Sequence, residues 1–202
     1  VAQHTLHALK YVKRDKILRL TMLFHDMGKP ARKTTDENGR DHFKGHGEES
    51  ERIANEVLHR LKMDNDTIKK VTKLVKWHDV RTQPTPKAVR KAMNKLGEEL
   101  YPLLLQVQYA DTMAQSTYQR EEKLERIHKV KVIYEQIIEE KQCFSIRNLA
   151  VNGKDLIAIG ITQGKQIGEI LNILLEDVLE EPSHNTKEYL LELAKNKIGQ
   201  EA

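Results

Sequence analysis

Ile17, Leu20, Leu23 and Phe24, followed at once by His25-Asp26-Met27-Gly28-Lys29-Pro30, form the stretch on which the fold of this 202-residue chain is read. Apolar residues three and four apart continue a pattern begun by Leu6 and Leu9, while sustained period-two alternation appears nowhere, so the chain is read as all-α. Gly28 with Pro30 is expected to stop this helix, because glycine tolerates a left-handed cap and proline cannot continue the hydrogen-bond ladder. Working outward, helices are expected over about 2–12, 15–27, 46–62, 65–79, 86–96, 98–118 and 120–141, with three shorter ones after them.

A single cysteine, Cys143, excludes an internal disulfide framework. No apolar run approaches the roughly 20 residues that span a bilayer, so a soluble, cytoplasmic protein without a membrane partner is expected. The chain opens on Val1, three residues before a histidine of interest, which leads to the expectation of a longer parent polypeptide. Residues 141–202 hold 7 Lys and Arg against 9 Asp and Glu, which leaves 27 against 21 in residues 1–140. The basic excess thus accompanies the histidines and suits an anionic partner such as a nucleotide or RNA, although solvated lysines alone produce a similar balance.

The chemistry is concentrated in His25-Asp26, an imidazole and a carboxylate side by side at a helix end. Adjacent helical side chains point about 100° apart, so the two reach one ion only where the last turn escapes helical geometry. Their company gives them weight: His4 on the preceding helix, His46 opening the next, His78-Asp79 closing another, and Asp111 among Leu103, Leu104, Leu105, Val107 and Met113. A carboxylate in so apolar a stretch is costly unless a cation or hydrogen bonds compensate it. Imidazole nitrogens with carboxylate oxygens suit Mn, Fe, Co, Ni or Zn, and oxygen-rich shells also admit Mg. Without thiolates nearby, an open catalytic site is favoured over a closed structural one. Asp79 beside Arg81 is read as solvated, His42 as shaping its loop, His59, His128 and His184 as surface residues, and Trp77 and Met113 as core.

The loop 28–45 is long, polar and flanked by histidines, which marks it as a border of the site. Further breaks fall at Gln83-Pro84-Thr85-Pro86 and over 145–153. Beyond them Asn152 is a good N-cap, Gln163 to Glu181 is amphipathic with Ile167, Ile170, Leu171, Leu174 and Val178 on one face, and Asn185 is read as capping a last helix. Residues 1–141 are taken as one helical-bundle domain and 142–202 as a small helical appendix.

The order His4, His25-Asp26, His46, His78, Asp111 resembles the HD superfamily of metal-dependent phosphohydrolases, as does the run Leu23 to Lys29. The resemblance implies that His4, His25, Asp26 and Asp111 hold a first divalent metal and that Asp26 and Lys29 are catalytic. It implies for His46 and His78 either a second metal, bridged by Asp26, or the substrate phosphate. His7, one turn from His4, competes with it, but His4-Thr5-Leu6 matches the superfamily's opening better. Lys29 is placed to neutralise charge developing on a phosphoryl group, with Arg32 and Lys33 as weaker candidates.

A narrower resemblance rests on His42-Phe43-Lys44-Gly45-His46, Leu149 to Leu156, Ile167-Gly168-Glu169-Ile170-Leu171 and Pro182-Ser183-His184-Asn185. These look like the C-terminal half of bacterial CCA-adding tRNA nucleotidyltransferases of the poly(A) polymerase family that carry an HD domain. That resemblance implies tRNA as a partner, a role in tRNA 3′-end processing, and phosphatase or 2′,3′-cyclic phosphodiesterase activity. Nucleotidyl transfer is expected only with a head domain upstream, since no strand carries Gly-Ser followed by paired aspartates. Two other classes stay open: a free-standing nucleotide phosphohydrolase, and a tRNA-binding helical module whose metal site is unused.

Overall fold

The computed structural model describes residues 1–161 and 164–199. Gln163, where the amphipathic tail helix is read to begin, and residues 200–202 at the end of the appendix lie outside the described residues. The fold is an all-α bundle. Its helices are α1 (Ala2–Ala8), α2 (Lys16–Phe24), α3 (His46–Arg60), α4 (Asn65–Trp77), α5 (Pro86–Leu96), α6 (Tyr101–Ala114), α7 (Arg120–Glu139), α8 (Gly153–Ala158), α9 (Gly164–Glu180) and α10 (Lys187–Gly199). Among the described residues no helix is long and apolar enough to cross a membrane.

Several ends follow from side chains that satisfy the first free amides of a helix. Asp15 accepts from Leu18 N to start α2, and Asp64 from Thr67 N to start α4. Asn152 starts α8 as expected, within a capping box completed by Asp155. Asn185 does not cap α10: its side chain bridges Ala150 N and Asn148 O, and Thr186 faces the helix start instead. The loop 28–45 contains a 3-10 turn, Pro30–Arg32, and a two-stranded antiparallel hairpin, β1 (Thr34–Thr35) and β2 (Asp41–His42), with Thr34 opposite His42. Strands of two residues are too short to leave a periodic signal. Asp36 ties the turn between them by accepting from the amides of Asn38 and Arg40.

The chain divides into two compact units, residues 1–82 with 96–131, and residues 83–95 with 132–202. One boundary coincides with Gln83-Pro84-Thr85-Pro86. A second falls at the end of α5, so that most of that helix goes with the second unit, and a third within α7, where the sequence reading places a domain boundary at residue 141.

In the first unit α2 is the central helix. Leu18 and Met22 pack with Ala8 and Val12 beside α1 and with Val107 and Ala110 of α6. Phe24, with the half-buried Ile17 and Leu20, packs against Ala54 and Leu58 of α3 and Ile68, Val71 and Val75 of α4. The C-terminal end of α2 is thereby delivered between two helix pairs. Leu6 and Leu23, read as part of the apolar face, instead point outward at 65% and 40% exposure.

In the second unit Ile170, Leu174 and Val178 of α9 are buried with Leu156 of α8 and Leu190 and Ala194 of α10. Arg90 of α5 is buried here too. Its guanidinium donates to the carbonyls of Leu179 and Glu180 at 3.1 and 3.3 Å and to Gln142 Oε1 at 2.9 Å, closing the C-terminus of α9.

Candidate metal centre

Helix α2 ends at Phe24; His25, whose backbone is still right-handed helical and whose amide donates to Thr21 O, and Asp26 sit in the turn just past it, where the bonds tighten to Met27 N–Phe24 O and Lys29 N–Asp26 O. Gly28 is not a left-handed cap, contrary to the sequence reading; it is required by contact. A Cβ there would lie 2.5 Å from His46 O and 2.6 Å from Ser50 N, and its own amide donates to Ser50 Oγ at 2.8 Å. Gly47 is similarly pressed, with Lys76 O 2.8 Å from where its Cβ would be. The start of α3 is therefore wedged between the turn after α2 and the end of α4, which brings His46 and His78 to Asp26.

The six candidate ligands nominated from sequence converge on one cluster, five of them buried and His4 half-buried. Exposure is 0% for His25, 2% for Asp26 and His78, 3% for Asp111 and 9% for His46. Asp26 stands at the centre. Its Oδ2 faces His25 Nε2 at 3.4 Å and His4 Nε2 at 3.7 Å, while Oδ1 faces His78 Nε2 at 3.6 Å and His46 Nε2 at 3.7 Å. Asp111 Oδ1 joins the first side, 2.8 Å from His4 Nε2 and 3.6 Å from His25 Nε2. Two candidate donor triads result, His4-His25-Asp26 and Asp26-His46-His78.

The imidazoles are oriented for this. Nδ1 of His25, His46 and His78 lies 2.7, 2.8 and 2.6 Å from the carbonyls of Met22, Phe43 and Val75. Carbonyls only accept, so each Nδ1 carries the proton and each neutral ring turns the lone pair of Nε2 inward. His4 Nδ1 makes a longer contact of the same kind with Ala114 O, at 3.4 Å. The inward nitrogens then meet in pairs, His4 with His25 at 3.2 Å and His46 with His78 at 3.1 Å. His4 Nε2 also lies 2.8 Å from Asp111 Oδ1, a carboxylate oxygen that only accepts, so in the free protein it carries a proton there, whereas the lone pairs of His46 and His78 repel unless a proton or cation lies between them. Ligands about 2.1 Å from one ion and at right angles are about 3 Å apart, so the spacing suits a shared divalent cation. Asp26 Oδ1, buried and without a hydrogen-bond partner, is the matching vacant acceptor.

Electrostatics agree with the geometry. Burial alone would raise the carboxyl of Asp26, but the adjacent His78 and His25 rings and the hydrogen bond and charge of Lys29 hold it well below the usual range. For Asp111 burial is likewise outweighed, by His25 and His4. The hydrogen bond to Asp111 raises His4, whereas burial lowers His46. The carboxylates thus remain anionic and available as ligands.

Lys29 Nζ lies 2.6 Å from Asp26 Oδ2 and 5.8 Å from the centroid of the Phe43 ring. Arg32 and Lys33 are engaged away from the cluster, with Glu49 and Asp41 at 3.6 and 2.8 Å. His7 is exposed and meets Tyr11, not the cluster, and His42 pairs with Asp36. Asp79 pairs with Arg81 at the surface. His59 and His128 are exposed, but His184 is half-buried against Asp177 and Tyr189 because the turn 182–184 folds it back. Trp77 and Met113 are half-buried and not core, since both lie near helix ends.

Gln115 escaped the sequence reading: its Nε2 donates to Asp111 Oδ2 at 2.8 Å, and Lys123 holds its Oε1 at 2.9 Å. Its spacing of four from Asp111 was the available signal. Two clefts open on the cluster, one of about 580 Å³ reaching His46, His78 and Asp111, the other of about 510 Å³ reaching His4 and Asp26.

The family of tRNA nucleotidyltransferase domain 2 matches residues 47–194, a span that includes His78, Asp111 and most of the second unit. A CC-adding tRNA nucleotidyltransferase of Thermus thermophilus is 33% identical over 183 residues, covering 86% of this chain and 40% of that protein. An A-adding tRNA nucleotidyltransferase of Deinococcus radiodurans is 29% identical over 164 residues, covering 80% and 37%. The chain spans about two fifths of the length of these curated relatives.

Proposed function

Because the chain belongs to the tRNA nucleotidyltransferase domain 2 family, we propose that it is the helical body of a tRNA 3′-end-processing protein, and that its first unit carries an HD-type, divalent-metal-dependent phosphohydrolase site. The tRNA part of this reading is supported by the names of the two relatives and by the match through the second unit. The hydrolase part is carried by one observation, the two donor triads that share Asp26.

In this reading His4, His25, Asp26 and Asp111 hold one divalent ion, and His46 and His78 hold either a second, across Asp26, or a phosphoryl oxygen. When bound, such an ion supplies Lewis-acid polarisation of the phosphoester and acidifies a water. The chain's own residues do the rest. The carbonyls of Met22, Phe43 and Val75 keep three rings in the tautomer that presents Nε2. Gln115 orients Asp111. Lys29 offsets the charge of Asp26 in the free protein and is close enough to share its ammonium with an incoming phosphate. Phosphomonoesters and 2′,3′-cyclic phosphates, whose phosphorus is exposed, are the suitable substrates.

The test is metal analysis of the purified chain beside turnover of 2′,3′-cyclic nucleotides and small phosphomonoesters with Mg, Mn, Co, Ni or Zn. Hydrolysis with at least one ion is expected. Inactivity with all of them would leave a tRNA-binding module as the reading. Addition of CTP or ATP to tRNA by this chain alone is not expected, and its detection would overturn the proposed division of labour.

A further inference from the structure

The two clefts beside the donor cluster share Lys29, Phe43 and Gln115, so the Phe43 ring stands as a half-buried partition between them. The larger cleft is bordered by the hairpin that contributes Arg40, Asp41, His42 and Lys44. Asp36 and Asp41 of the hairpin and Asp79 of the outer cleft wall are already compensated. Asp41 meets Lys33 and Thr35 Oγ1, both at 2.8 Å, Asp36 meets His42 at 2.8 Å, and Asp79 meets Arg81 at 2.8 Å. Arg40 and Lys44 are exposed, and among the described residues neither side chain meets a carboxylate. An aromatic side chain, two uncommitted cations and the donors His46, His78 and Asp111 thus border one cleft of about 580 Å³, within the range of small-ligand sites.

We propose that this hairpin selects the substrate: Phe43 stacks a nucleobase while Arg40 and Lys44 hold a neighbouring phosphate, so the site takes the end of a single-stranded nucleic acid in preference to a bare phosphoester. Stacking on an aromatic ring tolerates any base, and cations along the rim track a backbone without reading sequence. Phe43 is well placed for this because its backbone is fixed independently of its ring. The carbonyl accepts from His46 Nδ1 at 2.8 Å, which survives substitution of the side chain. The fate of the bound end rests on the hydrolase reading; the binding itself does not.

The experiment uses the full chain and two readouts. The first is fluorescence anisotropy of a 5′-labelled RNA trinucleotide with a 3′-phosphate, with metal and after chelation. The second is turnover of adenosine 2′,3′-cyclic phosphate against ribose 2′,3′-cyclic phosphate, which lacks the base. Phe43→Leu is expected to weaken RNA binding about tenfold and to lower kcat/KM on the adenosine substrate about as much. Turnover of the base-free substrate should change less than about twofold, and Phe43→Tyr should restore both readouts. Arg40→Gln with Lys44→Gln should flatten the dependence of log binding constant on log salt by about 1.4, the value for two contacts to a single strand. Equal RNA binding by wild type and Phe43→Leu would overturn the proposal, as would parallel losses on both cyclic phosphates, which mark a merely structural ring. If the wild type hydrolyses neither substrate, the hydrolase reading fails and the binding arm alone decides the inference.

Discussion

Arg90 and Asp26 are both buried charges, at 4% and 2% exposure, yet their surroundings differ in kind. Arg90, in the second unit, donates to two carbonyls and a glutamine oxygen, all within 3.3 Å, and closes a helix end. Asp26, in the first, keeps one oxygen without a hydrogen bond, and that oxygen faces the Nε2 atoms of His46 and His78, which meet each other at 3.1 Å. A charge with a partner for each of its nitrogens is structural; one held anionic with an open acceptor is poised for a ligand. Burial alone would not separate them.

The strongest way to break this comparison is to remove each charge in turn. Asp26→Ala is expected to cut metal affinity by more than about 100-fold in both triads and abolish turnover, since a shared ligand is a larger loss than the outer-shell changes that cost 10–100-fold. Metal content by mass spectrometry checks it, and full occupancy in the variant would remove Asp26 from the site. Arg90→Leu should instead destabilise the fold by about 2–4 kcal/mol, because it strands the carbonyls of Leu179 and Glu180. Urea unfolding measures this, and the metal content of the folded variant should match wild type.

His46→Ala and His78→Ala sharpen the comparison within the first unit. Each should remove one ion of two if both triads bind metal, or leave stoichiometry unchanged and raise KM if His46 and His78 face the substrate. Stoichiometry equal to wild type in both variants would exclude the binuclear form.

A smaller effect is expected from pH. In the metal-free protein His4 is raised above its ordinary value of 6.5 by Asp111. The His4–Asp111 pair therefore contributes stability that is present below about 6.5 and lost as pH rises through the folded value. Metal competes with that proton, so affinity should rise as pH goes from about 6 to 8. An isothermal titration with no pH dependence in this window would argue that His4 is not a ligand. The smallest change is expected for His7→Ala, whose ring is exposed and meets only Tyr11; metal stoichiometry should be unaltered.

Much of this was legible along the chain. The helix positions follow from apolar spacing, from the cap at Asn152 and from the proline break before α5, all of which act over three or four residues, and the caps Asp15 and Asp64 are of the same local kind though the reading did not single them out. Asp111 could be singled out because a carboxylate among Leu104, Leu105 and Val107 requires compensation wherever the helix packs. The same local logic failed for Leu6 and Leu23, since a seven- or nine-residue helix leaves its buried face ambiguous and the actual contacts run through Thr5, Ala8, Leu18 and Met22.

The sequence by itself thus determined an all-α chain and the residue types that could gather a cation. Only the tertiary structure decided that the oxygens of Asp26 face two different histidine pairs. It also decided that Gly28 exists for the contact with α3 and that Phe43 divides the clefts. The reason is physical: periodicity and capping are interactions between near neighbours, whereas the placing of His4 and Asp111 on one side of Asp26 and His46 and His78 on the other depends on α2 being packed from both flanks at once.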